Sequence, residues 1–258
     1  MINNSTKLLK IKKKLFNNDV SIGTWLQIPS CDTAEIMSNA QYDWIAIDLE
    51  HGPISLSEFN NLCRAIEHGD ALPIARLSES TEKRCMEALD CGFQGLIFPN
   101  IQNEQKFSSL VDSCFYPPIG SRGVGFSRSN LYGKIINKSI SDKSKPLIIA
   151  QIENIIALKD LNKICQNKKL TAIFIGPYDL SASIGVPGDF NNKEYLKVEK
   201  EIIQIAKSNN LPFGKHITEP NIKYLKKSIS KGYQFIAYST DAYFLNYYSQ
   251  NPLINIKN

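Results

Sequence analysis

The chain has 258 residues, 43% of them hydrophobic and 21% charged. That balance supplies apolar material for one large core and excludes a disordered chain. It also excludes membrane spanning, because the longest apolar runs, such as Leu147 to Ala150 and Ala172 to Ile175, fall far short of the ~20 residues a bilayer crossing needs.

The net charge of +5 owes much to one amino-terminal run, in which Lys7, Lys10, Lys12, Lys13 and Lys14 precede the first acid, Asp19. Leu8, Ile11 and Leu15 recur at helical spacing through this run, predicting an amphipathic helix with a solvated basic face and an apolar face docked on the body. A polyanion-binding tail is the alternative. The remainder of the chain is balanced, so neither nucleic acid nor membrane is expected as a partner. Met1 to Phe16 has no continuous apolar stretch of signal-peptide length, and the expected location is the cytoplasm.

Short β-branched apolar runs then alternate with longer helical stretches, the pattern of a parallel sheet. The strands are expected at Val20 to Ile28, Trp44 to Asp48, Leu72 to Leu77, Gln94 to Phe98, Leu147 to Ile152, Ala172 to Ile175, Leu211 to Gly214 and Gln234 to Tyr238. Between them, Asp32 with Glu35 and Ser55 with Glu58 read as capping boxes, and Thr218-Glu219-Pro220 opens the helix before the last strand. Eight such units predict an α/β fold, a (β/α)8 TIM barrel with an additional N-terminal helix, as one domain over residues 1–258. A doubly wound open sheet is the rival, but the turn after its first strand would normally be rich in glycine, and Pro29-Ser30-Cys31-Asp32 contains none.

The connection Tyr116 to Lys145, rich in Pro, Gly, Ser and Asn, is longer than the others, and such segments are commonly functional or mobile. Its Gly120-Ser121-Arg122-Gly123-Val124-Gly125 core follows a helix and lacks a Lys-Ser/Thr ending, so it does not read as a phosphate loop. The six cysteines show neither CxxC pairing nor clustering with the three histidines, which argues for reduced thiols and against structural zinc.

In a barrel the active site lies at the carboxyl ends of the strands. Those ends carry Asp48-Leu49-Glu50-His51, Arg76, Asn100, Gln151-Ile152-Glu153, Gly176-Pro177-Tyr178-Asp179, Lys215-His216 and Asp241. Glu153 and Asp179 come from neighbouring strands and suit a hard divalent cation, with water and substrate oxygens in its other positions; Asp179 could instead cap a helix. His51 has Asp48 and Glu50 close by, and a carboxylate accepting one ring N–H would leave the other nitrogen free to exchange protons. The alternative is a histidine that only orders its loop. Arginine is scarce, five in all, so Arg76 at a strand end is notable as a two-pronged donor to a carboxylate or enolate oxygen, or as a structural ion pair with Glu50.

Asp48-x-Glu50-His51-Gly-Pro, Arg76, Gln151-Ile-Glu153 and Gly176-Pro177-x-Asp179-Leu180-Ser181, in that order and spacing, resemble the metal-dependent (class II) pyruvate aldolases. The nearest groups are 4-hydroxy-2-oxoheptanedioate aldolase and 2-dehydro-3-deoxyglucarate aldolase. The resemblance runs from about Gly23 to about Leu245 and includes the Tyr116-Pro-Pro-x-Gly-x-Arg122-Gly-Val-Gly125 stretch. It implies reversible cleavage of a 4-hydroxy-2-oxo acid to pyruvate, or a close 2-oxo acid, and an aldehyde. Glu153 and Asp179 would hold Mg²⁺, Mn²⁺ or Co²⁺, with no organic cofactor. Arg76 would stabilise the enolate oxygen, His51 oriented by Asp48 would manage the proton of the 4-hydroxyl, and Glu50 would support the metal site. Gln151 and the backbone around Pro177 and Tyr178 would seat the 2-oxo acid. The resemblance also implies a homo-oligomer, commonly a hexamer, with Tyr243, Phe244, Tyr247 and Tyr248 packing across subunits.

Two departures bear on the substrate. Lys215-His216 stands where the family usually has apolar residues, which leads us to expect a more polar or anionic aldehyde. Tyr178 stands where a small residue is common and is expected to narrow the 2-oxo acid site. Two alternatives to aldol cleavage stay open: a citrate-lyase-β-like lyase acting on acyl thioesters, and a barrel that binds a 2-oxo acid without turnover.

Overall fold

The computed structural model describes residues 2–142 and 146–255. In chain order the elements are α1 (Ile2–Phe16), β1 (Ser21–Leu26), α2 (Cys31–Ser38), β2 (Trp44–Asp48), α3 (Leu56–His68), β3 (Leu72–Arg76), α4 (Glu82–Cys91), β4 (Gly95–Phe98) and α5 (Glu104–Asp112). They continue with α6 (Ile136–Ser141), β5 (Leu147–Ile152), α7 (Leu161–Cys165), β6 (Ala172–Ile175), α8 (Pro177–Ser183), α9 (Lys193–Ser208), β7 (Phe213–Ile217), α10 (Ile222–Ser230), β8 (Phe235–Thr240) and α11 (Asp241–Tyr248). The eight strands pair in parallel, each with the next, and β8 closes on β1, so the expected barrel is present.

The two-residue period of each strand separates two cores. Trp44, Ala46, Leu72, Ile74, Leu147, Ile149, Phe174, Phe235 and Ala237 fill the barrel, whereas Ile45, Ile47, Ala75, Ile148, Ala150, Ile173 and Ile236 pack against the helices outside it. At the amino-terminal end Trp44 stacks on Phe235 with ring centroids 4.3 Å apart. Gly23 makes room for that indole, since a Cβ there would lie 2.0 Å from the Trp44 ring. Leu8, Ile11 and Leu15 of α1 are buried in the same interior cluster, so the helix plugs the barrel from below. Each such side chain contributes about 1.5–3 kcal/mol.

Several local expectations are corrected. α2 is capped by Ser30, whose side chain accepts from the Thr33 amide, which leaves Asp32 in the first turn. Ser55 and Glu58 do form a capping box. α10 is capped by Asn221, so Pro220 precedes the helix. β7 lies further along the chain than its apolar run, because Lys215 and His216 are paired with Ile236 and Ala237 of β8.

The segment from Tyr116 packs at the end of the barrel opposite the strand termini; residues 143–145 lie outside the described part. Arg128 donates to the Cys91 carbonyl at 2.7 Å and pairs with Glu67, while Arg122 pairs with Asp90 at 2.7 Å. Buried Asn130 bonds the Gly125 carbonyl and the Ser127 and Gly133 amides. Within this chain the segment is fastened to the closed end of the barrel and lines no part of the cleft at the other. No helix among the described residues is long and apolar enough to cross a membrane.

Candidate active site

Strand alternation decides which polar residues enter the barrel mouth. Asp48 and Arg76 are direct partners across β2 and β3 and share the phase of the interior side chains. Gln151 pairs with inward Phe174, and Glu153, two residues on, keeps the same phase. Arg76 and Gln151 border a cleft of about 480 Å³ that is also lined by Trp25, Gln27, His51, Pro177, Tyr178, Asp179, His216 and Thr218, among others.

Asp48 is fully buried. Its Oδ1 accepts from Arg76 Nε at 2.9 Å and from the Glu50 and His51 amides at 3.1 and 3.2 Å. Its Oδ2 accepts from Arg76 Nη2 at 2.7 Å and from Gln27 Nε2 at 2.9 Å. Burial alone would raise the Asp48 carboxyl, but Arg76, Gln27 and the His51 amide together hold it below its ordinary range. The guanidinium also lies 3.1 Å from Glu50 Oε2 and 4.6 Å over the Trp25 ring. Arg76 is thus held in one orientation, with burial opposed by the two carboxylates that keep it cationic.

This arrangement corrects one expectation. Both Asp48 oxygens are occupied by Arg76, Gln27 and backbone amides, so Asp48 orients the loop at His51 and not its ring. The His51 side chain is exposed at the cleft, and no hydrogen bond to it is found among the described residues.

On the facing side Glu153 is 5% exposed. Its Oε1 accepts from the Asn100 amide at 2.6 Å, and Gln151 Nε2 donates to its Oε2. Gly176 is required here because a Cβ would lie 2.6 Å from Glu153 Oε2. Burial pushes the Glu153 carboxyl up to about 7, with further upward contributions from the negative charges of Glu50 and Asp179. Glu50 is likewise raised, first by burial and then, against Arg76, by Asp48 and Asp179. Asp179 sits exposed in the first turn of α8, whose cap is Gly176. It does not cap the helix.

Glu153 and Glu50, each raised first by burial and further by neighbouring acids, stand near a Gln151 Oε1 with no partner, and Arg76 is the cation paired with Glu50. Among the described residues no group of three or more His, Cys, Asp or Glu side chains could hold a metal ion. Glu153 and Asp179 are two carboxylates, so a cation held by them would take its other ligands from water or substrate oxygens, as Mg²⁺ commonly does.

β7 separates Lys215 from His216. Lys215 turns outward and donates to Glu199 Oε1 at 2.9 Å, against the Tyr233 ring, whereas His216 turns into the cleft with its ring 5.8 Å from Trp25. Burial, then the Arg76 charge, lowers the His216 imidazole to about 3. Of the expected polar or anionic aldehyde, the anionic half finds no cation on β7: Lys215 is paired with Glu199 outside the barrel, and the His216 ring is uncharged. Tyr178 borders the cleft with its ring edge-on to Phe190 at 5.0 Å. Pro177 is buried at the start of α8.

The sequence reading passed over Trp25, Gln27 and Thr218. Gln27 follows Trp25 at the two-residue period, and that phase was the available signal. Asp241, the first residue of α11 just after β8, accepts from the Gln27, Ile28 and Ala242 amides at 2.8, 2.9 and 2.8 Å, fastening the exit of β1. Asn100 contributes its amide, not its side chain, to Glu153.

A closed (β/α)8 barrel with carboxylates and a clamped arginine at its carboxyl-terminal mouth has the arrangement of a barrel enzyme. Residues 21–245 match the HpcH/HpaI aldolase/citrate lyase family, and the chain belongs to it. The 2-keto-3-deoxy-L-rhamnonate aldolase of Salmonella gallinarum (strain 287/91 / NCTC 13346) is 30% identical over 232 residues, covering 89% of this chain and 86% of that relative. A HpcH/HpaI aldolase/citrate lyase family protein from Burkholderia cenocepacia J2315 superposes with a TM-score of 0.89 at 25% identity, over 96% of this chain and 99% of that one. The HpcH/HpaI aldolase from Desulfitobacterium hafniense DCB-2 shares the fold, with a TM-score of 0.86 at 24% identity and 96% of each chain covered.

Proposed function

We propose that the chain catalyses the reversible aldol cleavage of a 4-hydroxy-2-oxo acid to pyruvate, or a close 2-oxo acid, and an aldehyde, with a divalent metal ion. The observation that supports this reading is the gathering at one barrel mouth of the Glu153 and Asp179 carboxylates with an Arg76 held by Asp48 and Glu50. Glu153 and Asp179 would hold the metal, which when bound supplies Lewis-acid polarisation of the 2-oxo acid.

The remaining work falls to the chain's own side chains. Arg76, with Nε and Nη2 on Asp48 and Nη1 on Glu50, turns the remaining N–H bonds of Nη1 and Nη2 to the oxygen that gains charge as the carbon–carbon bond breaks. Gln151 is tied to Glu153 through Nε2, which leaves its Oε1 as an acceptor for a bound water or hydroxyl. His51, exposed at the cleft, takes the 4-hydroxyl proton during cleavage and returns it during addition. Pro177 and Tyr178 wall the 2-oxo acid side. No lysine is used to form an imine: Lys215, the lysine at the end of β7, is paired with Glu199 outside the barrel.

Pyruvate release from a 4-hydroxy-2-oxo acid, coupled to lactate dehydrogenase, tests the reading with metal-stripped protein before and after Mg²⁺ or Mn²⁺. Metal-dependent activity that falls about 10²-fold in His51→Ala is expected. No turnover across several such acids would overturn it. We also infer a homo-oligomer, hexameric as the resemblance implies, supported by the exposed Leu245, Tyr247 and Tyr248 of α11. Light scattering after size exclusion would refute this with a monomer.

A further inference from the structure

Glu153 is gripped at both of its oxygens, and the grip at Oε1 comes from an uncommon piece of backbone. β4 runs out through Phe98-Pro99-Asn100, and Pro99 has no N–H, so Asn100 carries the first amide that the exit of β4 can offer. Asn100 stands at φ +50, in the left-handed region that a non-glycine residue seldom occupies. From there its N–H meets Glu153 Oε1 at 2.6 Å, and the next amide, that of Ile101, meets the Gln151 carbonyl at 3.2 Å. Two successive amides of one loop thus hold the end of β5 and the carboxylate just beyond it.

The Pro99 carbonyl and the Asn100 N–H belong to one planar peptide unit. Ser80 Oγ donates to that carbonyl at 2.9 Å, so the unit is tied at both ends, to the loop before α4 and to Glu153. Gln102 Nε2 fastens the side chain behind it, donating to Asn100 Oδ1 at 2.6 Å. Asn100 is exposed, so burial of its side chain does not account for the strained turn. Strain of this kind persists where the surroundings over-determine it, and it clusters at functional sites. At the other oxygen, Oε2, the donor is Gln151 Nε2. Each oxygen of Glu153 therefore takes an N–H and keeps lone-pair capacity for a cation.

We propose that Asn100 is a positioning residue for the metal site: its left-handed backbone aims the N–H that orients the Glu153 carboxylate, and so sets the affinity for the divalent cation. This rests on the aldolase reading, in which Glu153 is a metal ligand, and deepens it. The work is done by the backbone, and the side chain's part is to permit its conformation. Asparagine tolerates the left-handed region, glycine adopts it freely, and a β-branched residue is expelled from it. Asn100→Gly therefore keeps the aimed amide and Asn100→Val does not.

The test titrates Mn²⁺ into metal-stripped protein without substrate and reads the free ion by electron paramagnetic resonance. Asn100→Val is expected to weaken binding about tenfold or more, and Asn100→Gly to stay within about threefold of the unaltered protein. Because the effect passes through Glu153, Asn100→Val adds little to the loss already caused by Glu153→Gln. Unchanged affinity in folded Asn100→Val, a loss in Asn100→Gly as large as that in Asn100→Val, or full additivity with Glu153→Gln would overturn the inference. Residue-resolved deuterium exchange in the unaltered, metal-stripped protein gives a readout that needs no variant. The Asn100 amide should exchange at least about tenfold more slowly than an unprotected peptide N–H, and exchange at the unprotected rate would overturn the inference as well. The two readings separate on the unaltered protein. Absence of any Mn²⁺ binding there overturns the metal-dependent aldolase reading and this inference together; Mn²⁺ binding that Asn100→Val leaves intact overturns this inference alone.

Discussion

Arg76 and Asp48 are cross-strand partners locked by two parallel bonds, Nε to Oδ1 at 2.9 Å and Nη2 to Oδ2 at 2.7 Å, with both side chains buried. A fork held at both prongs keeps its direction without help from substrate. Asp48→Asn removes one charge and presents an amide N–H to a donor. Breaking a buried pair in this way costs about 3–5 kcal/mol. The expected result in Asp48→Asn is a lower urea midpoint together with a kcat/KM reduced about 10²-fold or more; normal kcat in a stable variant would show that Arg76 needs no such clamp.

Glu153 titrates against stability. A carboxyl that holds its proton more tightly in the folded chain than in the unfolded one stabilises the fold only while protonated. Burial raises Glu153 from 4.5 to about 7, so metal-stripped protein keeps this contribution below about pH 4.5 and loses it as pH rises through about 7. The loss is about 3 kcal/mol. Urea unfolding of the unaltered protein and Glu153→Gln, both with chelator, should diverge over this window. Parallel curves would refute the prediction, and added Mg²⁺ or Mn²⁺ should stabilise the unaltered protein more at pH 8 than at pH 6.

Glu199, 3% exposed, accepts from Lys215, Lys231 and Tyr233 at 2.9, 3.0 and 2.9 Å. Glu199→Ala strands a partly buried ammonium and a buried phenol. A loss of about 3–5 kcal/mol is expected in chemical denaturation. Because Lys215 faces away from the cleft, Lys215→Met should leave the ratio of kcat/KM for anionic over neutral aldehydes unchanged. A fall in that ratio would place the ammonium in the site after all.

Asp241 reaches Arg76 only through others: it fixes the Gln27 amide, Gln27 Nε2 bonds Asp48, and Asp48 clamps Arg76. It is a positioning residue. Asp241→Asn and Gln27→Leu should each lower kcat about tenfold with smaller changes in KM, and the double variant should fall by less than the product of the two. Full additivity would mean that the two act independently.

Much of the barrel was legible because apolar alternation is a local property. β2, β5 and β6 have the bounds expected from their runs, and α1 docks Leu8, Ile11 and Leu15 as their spacing implied. β7 was misplaced because Lys215 and His216 break the apolar run, while hydrogen bonding to β8 carries the strand through them. The strand-end acids, Arg76 and Gln151 were found by position alone.

The sequence by itself determined which polar residues end the strands and therefore which chemistry gathers at the mouth. Only the tertiary structure decided how they pair. Asp48 takes Arg76 instead of the nearby His51 ring, since adjacent strands in register bring residues 28 apart within bonding distance. Lys215 and His216, neighbours in the chain, part to opposite sides of the barrel wall because side-chain direction alternates and the closed sheet defines an inside. Burial then keeps the His216 ring neutral, and burial is a property of the assembled barrel.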